Sequence, residues 1–184
     1  DTKVVRENAA LIKKKYNEAI KNGTLQKGDT WTGNIMGVIA STRGNTNHIF
    51  GADSTNAATQ TQTNLAGRKC VLRLLKFFKT IPGGEKASIN KMMNETASRE
   101  TYRIKGETMI TVHDYTSGRV FEDALCYSFY PIDLHDEKGV VPRHLKHGTV
   151  PTIPRGALIP KGSKNIMVAG RCVSSDRLAN SAAR

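Results

Sequence analysis

Ile166, Met167, Val168 and Ala169 form an unbroken apolar run between the polar turn at Lys161-Gly162 and Gly170. A run this short and continuous has no wet face to offer. It predicts a strand buried on both sides, as in a parallel sheet. Beyond Gly170 the polarity rises, and Leu178, Ala179, Ala182 and Ala183 begin a helical spacing. Strand, glycine turn and helix together bring backbone N–H groups toward a ligand. The sequence reaches Arg184 about one turn into that helix. It also begins at Asp1-Thr2-Lys3 without an initiator Met, so it reads as a segment of a longer protein.

Two further stretches carry helical periodicity. Val5, Ala9, Ile12, Tyr16, Ala19 and Ile20 recur every three or four residues, which predicts one helix from about Lys3 to Asn22 with Gly23 as its cap. A second helix is expected from about Thr61 to Thr80. Leu65, Leu72, Leu75 and Phe78 share a face there, Val71, Leu74 and Phe77 widen it, and Pro82-Gly83-Gly84 stops it. Its apolar residues spread around much of the circumference, so it is expected to be substantially buried.

Strands are expected at Trp31–Ala40, His48–Phe50, Ser88–Thr96, Thr101–Val112 with a turn at Lys105-Gly106, and Cys126–Leu134. In the last of these, period two puts Asp133 and His135 on one face. Prolines at 151, 154 and 160 keep Val150–Pro160 extended or turning. The fold class is therefore α+β, with a mixed, largely antiparallel sheet flanked by helices.

Charge and cysteine content narrow the function classes. The 28 Lys and Arg outnumber the 16 Asp and Glu, giving +12, which draws anionic partners. The basic residues are dispersed, however, and the densest run, Lys13-Lys14-Lys15, falls on the solvent side of an amphipathic helix. Aromatic residues are only 6% and do not interleave with the basic ones as stacking platforms for bases would. Nucleic acid is thus the less favoured partner. No apolar run approaches the length of a membrane span. Cys70, Cys126 and Cys172 are odd in number and widely spaced, as free thiols are. Asp133, His135, His144 and His147 invite a zinc reading, but no Cys pair or Glu-x-x-His helix supports it, and no metal is expected.

Several motifs occur together and in order. They are Arg99-Glu100-Thr101-Tyr102-Arg103-Ile104-Lys105-Gly106-Glu107, Ser117-Gly118-Arg119-Val120-Phe121-Glu122-Asp123-Ala124 and Tyr130-Pro131-Ile132-Asp133-Leu134-His135. Ile153-Pro154-Arg155-Gly156-Ala157-Leu158-Ile159-Pro160-Lys161-Gly162 follows and runs into Asn165–Arg171. As a set they resemble the FAD-dependent oxidoreductases that combine a dinucleotide-binding domain with an inserted substrate domain. Gly51–Asn56 and Gly67-Arg68-Lys69 are similar to that family's upstream loop and helix.

The resemblance implies a flavoprotein oxidoreductase acting on a small organic substrate, with 1–154 as a substrate-type α+β domain. Residues 155–184 would be a truncated piece of the α/β FAD-binding domain. It implies that Gly170 and Arg171, with Ser174 and Ser175, contact the flavin cofactor, and that Arg99 beside the flavin binds an anionic group or stabilises reduced flavin. Asp133 and His135 read as an acid/base pair whose carboxylate orients the imidazole. Arg103 and Arg155 are candidate substrate contacts. The family's G-x-G-x-x-G turn is absent from the 184 residues, so the segment alone is expected to bind FAD weakly or not at all and to show no turnover. With its sheet partners missing, the Ile166–Ala169 strand and its tail are expected either to be loosely held or to find a substitute partner, such as a neighbouring copy. A cytoplasmic location is expected, any N-terminal signal lying outside the segment. Two other readings compete: a basic module that binds polyanions or nucleic acid, and a carbohydrate-acting enzyme that uses Asp133 and His135 without flavin.

Overall fold

The computed structural model describes residues 2–30, 33–40, 47–99, 101–136, 139–140 and 142–183. The chain forms two compact units, Asp1–Ala97 and Ser98–Arg184.

The first unit is helical. The periodicity at its start yields two helices, α1 (Thr2–Glu7) and α2 (Ala9–Lys21), instead of one. Asn8 interrupts them because its side chain donates to Val4 O at 2.8 Å, competing with the helical ladder. The expected cap holds: Gly23 takes the left-handed φ of +78° just past the C-terminus of α2. The strand expected over Trp31–Ala40 is replaced by a helix, α3 (Ile35–Ala40). Asn34 starts it, its Oδ1 accepting from Gly37 N–H at 3.0 Å, so Ile35, Val38 and Ile39 follow helical spacing and not alternation. Trp31 and the polar loop 41–46 lie outside the described residues.

Helix α4 (Ala57–Phe78) is capped by Asn56, which accepts from Thr59 N–H at 3.0 Å. Its buried stripe is Thr63, Cys70, Leu74 and Phe77, not the Leu65–Leu72–Leu75–Phe78 face read from the sequence; Leu65 and Leu72 are exposed. Leu74 and Phe77 pack with Val5, Ile12, Tyr16, Ala19, Leu25, Ile35 and Ile81. A polar contact sets the rotation of α4. Arg73 grips Asp29, buried in the 3-10 turn Lys27–Asp29, through Nε at 2.7 Å and Nη2 at 2.6 Å. Neither His48–Phe50 nor Ser88–Thr96 forms the expected strand. The second segment is held along α4 by Asn64 Oδ1, which accepts from Thr96 N–H, and by Arg68, which donates to Asn94 O.

The second unit carries the strands. Strand β1 (Ala124–Tyr127) pairs antiparallel with β4 (Thr152–Pro154) through a register shift between Ala124 and Cys126. Strands β2 (His135–Asp136) and β3 (Gly139–Val140) form a second antiparallel pair. The fold class is α+β, as the sequence implies, with less sheet than expected. The continuous strand expected over Cys126–Leu134 is divided between β1, a bridge from Ile132 to Arg143, and β2. Residues 101–112 are extended but pair only at single bridges, Gly106 with Pro160 and Ile110 with Ser175. They lead into α5 (Val112–Ser117), whose start is fixed by a reciprocal Thr111/Asp114 capping box.

The run that most constrained the sequence reading is not a strand. Ile166 and Met167 are 61% and 58% exposed, and among the described residues the segment makes one backbone–backbone bond to its surroundings, from Val168 N–H to Leu158 O at 2.8 Å. A strand needs a ladder on at least one edge, and Leu158 offers a single rung. Gly170–Cys172 is a 3-10 turn, and α6 (Arg177–Ala183) follows as the spacing implies. The core of this unit joins Ile110, Tyr115, Ile132, Ile153, Ala157, Ala179 and Ala182.

Candidate active site

Three of the sequence-derived candidates meet at one point. Asp133 follows the Ile132 bridge and is 6% exposed. Its backbone N–H donates to Ser181 Oγ on α6 at 3.1 Å, which fixes the residue at the base of the cluster. His135 opens β2, two residues on. Its Nε2 lies 3.2 Å from Oδ1 and 3.1 Å from Oδ2 of Asp133. Arg99 arrives from the start of the unit, its Nη1 3.3 Å from Asp133 Oδ2 and 3.1 Å from His135 Nε2. The Arg99 side chain is 41% exposed, while those of Asp133 and His135 are nearly buried. A half-exposed cation is thus held against a nearly buried carboxylate–imidazole pair.

Tyr115 supports the segment that carries Asp133. Its ring is fully buried, and its hydroxyl meets Ser128 Oγ at 2.6 Å and donates to Tyr130 O at 3.0 Å. Burial pushes the phenol above its ordinary range, outweighing its hydrogen bonds to Ser128 and Tyr130. It remains a neutral donor at physiological pH. Asp114, in the capping box of α5, behaves oppositely. Burial alone raises its pKa, but Arg119 and the hydroxyl and N–H of Thr111 together bring it down to about 2.

The remaining candidates lie in the same unit. Gly170 is exposed, has φ +79°, and has open space where a Cβ would stand. Arg171 is exposed and its Nη1 donates to Ser98 O, so the 170–172 turn is tied to the residue just before Arg99. Ser174 and Ser175 are buried. Ser175 Oγ donates to Val173 O at 3.3 Å and receives Asn180 Nδ2 at 3.0 Å; Asn180 also holds Arg171 O at 3.3 Å. Arg103 is partly buried, and Arg155 is exposed at the head of the 3-10 turn Arg155–Ala157. Glu100 lies outside the described residues. Among the described residues no three His, Cys, Asp or Glu side chains converge to hold a metal. No helix among them is long and apolar enough to cross a membrane.

Ser181, Asn180 and Ser98 support the site yet carry no sequence signal. Each acts through a backbone atom or a small hydroxyl brought close by α6 or by the Ser98–Arg171 contact, and periodicity records neither.

A family model of FAD dependent oxidoreductases matches residues 3–184. The chain belongs to that family. No curated protein and no solved structure matches the chain. Flavoprotein oxidoreductase chemistry is therefore the family setting in which Arg99, Asp133 and His135 stand. The chemistry of the 170–171 turn fits a flavin nucleotide in kind: an open left-handed glycine leaves backbone accessible, and an exposed arginine supplies positive charge. Ser174 and Ser175 turn inward beneath that surface.

Proposed function

We propose that the chain handles an organic substrate bearing an anionic group, in an oxidoreductase whose hydride acceptor or donor is FAD. The observation that carries this reading is the Arg171–Ser98 bond. It joins the exposed Gly170–Arg171 turn to the segment that delivers Arg99 to Asp133 and His135. A side-chain-to-backbone hydrogen bond thus joins the cofactor-edge residues to the substrate-edge residues.

In this reading FAD supplies the redox chemistry when bound. Gly170 and Arg171 hold the cofactor's edge, with Ser174, Ser175 and Asn180 keeping the turn in place from below. Arg99 binds the anionic group of the substrate through its exposed guanidinium face. Arg103 and Arg155 complete the substrate side. His135 holds or releases a proton at Nε2, and buried Asp133 orients the ring. The 184 residues contain no G-x-G-x-x-G turn for the pyrophosphate, so weak FAD binding is proposed for the chain by itself.

Titration of FAD with the 184-residue chain, followed by flavin fluorescence, tests the cofactor part. Weak quenching lost in Arg171→Ala and kept in Arg99→Ala is expected. Identical curves for wild type and Arg171→Ala would remove the turn from the cofactor site, and tight saturation in wild type would overturn the proposed weakness.

A further inference from the structure

A small cleft is built wholly from residues of the Asp1–Ala97 unit and uses none of those placed at the flavin or substrate edge. It encloses about 300 Å³ between the C-terminal half of α2, the turn after it and the C-terminal end of α4. That volume is at the small end for ligand sites and suits a small molecule, not a dinucleotide. Ala19 and Phe77, both buried, form an apolar floor. The Phe77 ring is held edge-on to Tyr16, with centroids 6.2 Å apart. Hydrogen bonds fix the walls. Leu25 N–H donates to Ala19 O at 3.0 Å and Thr24 N–H to Asn22 Oδ1 at 3.0 Å, which folds the turn back over α2. Lys15 Nζ donates to Thr80 O at 2.6 Å, tying α2 to the turn beyond α4 and engaging that cation.

Two opposite charges remain at the rim. Glu18 on α2 and Lys76 on α4 line the same cleft and are both exposed. Neither is ion-paired with the other or with any other described residue. A carboxylate and an ammonium on two different helices, over an apolar floor, complement a molecule that carries the reverse charges on an apolar body. We propose that this cleft binds a free α-amino acid with an apolar side chain. The ligand carboxylate meets Lys76, its ammonium meets Glu18, and its side chain covers Ala19 and Phe77. A simple anion would satisfy Lys76 but lie beside Glu18, and a simple cation would do the reverse. Exposed ion pairs are weak, so burial of the side chain supplies most of the affinity and the two charges supply the selection. Binding is therefore millimolar, as befits an open site with one apolar anchor.

Amide NMR of the full chain tests this with leucine, N-acetylleucine, leucinamide and glycine as probes. A pH of about 6.5 keeps α-amino groups protonated and carboxylates ionised. Leucine is expected to shift the amides of Ala19, Thr24, Phe77 and Thr80 saturably. N-acetylleucine lacks the ammonium and leucinamide lacks the carboxylate, so each should bind about three- to fivefold more weakly. Glycine has no side chain for the floor and should not saturate. Lys76→Gln and Glu18→Gln change exposed side chains and leave the rest of the spectrum in place. Lys76→Gln should bind leucine and leucinamide equally, and Glu18→Gln should bind leucine and N-acetylleucine equally. Absence of a saturable leucine response would overturn the site. Selectivity in both variants equal to that of wild type would overturn the assigned charges, and glycine binding as tightly as leucine would overturn the apolar floor.

Discussion

Asp114→Asn is the most informative test of how this structure is held. Asp114 closes the capping box of α5, accepting from Thr111 N–H at 3.0 Å and from the Thr111 hydroxyl at 2.7 Å, and it pairs with Arg119 at 2.8 Å. Its carboxyl sits at about 2 against an ordinary 3.8. Burial acts against that depression, and the Arg119 and Thr111 hydrogen bonds overcome it. At about 1.4 kcal/mol per unit, the shift corresponds to a ceiling of about 2 kcal/mol for the charged form. Arg119 is 57% exposed, so its share is screened, and about 1–2 kcal/mol is the working figure.

Because the folded value lies below the unfolded one, this stability is fully present above about 4 and is lost as pH falls toward about 2. Urea unfolding, followed by amide signals of the Ser98–Arg184 unit, should show Asp114→Asn weaker by about 1–2 kcal/mol near neutral pH. The gap should close as pH approaches about 2, where wild type has lost the same charge. A gap that persists undiminished in acid, or no gap at neutral pH, would refute the assignment of the depressed value to these contacts.

Three other outcomes follow from particular contacts. Arg73→Ala leaves Asp29 charged and buried, so the Asp1–Ala97 unit should lose about 3 kcal/mol in the same assay. Arg73→Lys should recover only part of that, since lysine lacks the two-nitrogen grip. The Cys70 thiol is pushed up to about 12, first by burial and then by its hydrogen bond to Asp29. In the native chain a thiol reagent should therefore modify exposed Cys126 readily and reach Cys70 only on unfolding. A Cβ at Gly106 would stand 2.7 Å from Ser174 Cβ and 2.8 Å from Gly156 O, so Gly106→Ala should cost about 1–3 kcal/mol. It should also shift the amide signals of Gly156 and Ser174, and unmoved signals would count against the close packing behind the 170–175 segment.

The sequence by itself determined the family, the α+β class and the helical stretches that became α2, α4 and α6. Motif order carries the family, helical spacing carries α2, α4 and α6, and period two places Asp133 beside His135. These are properties of neighbours in the chain, so they survive without knowledge of the fold. Tertiary structure decided the rest. Ile166–Ala169 has a strand's composition but finds one backbone partner in Leu158, and a strand is defined by its ladder. Trp31–Ala40 reads as a strand by β-branched content, yet Asn34 caps a helix from Ile35. The leucines of α4 permit several buried faces, and the Arg73–Asp29 pair, 44 residues apart, selects one of them. Arg99 shows the same limit. Its chemistry is evident from its type, but its contact with residues 34 and 36 positions away exists only after folding.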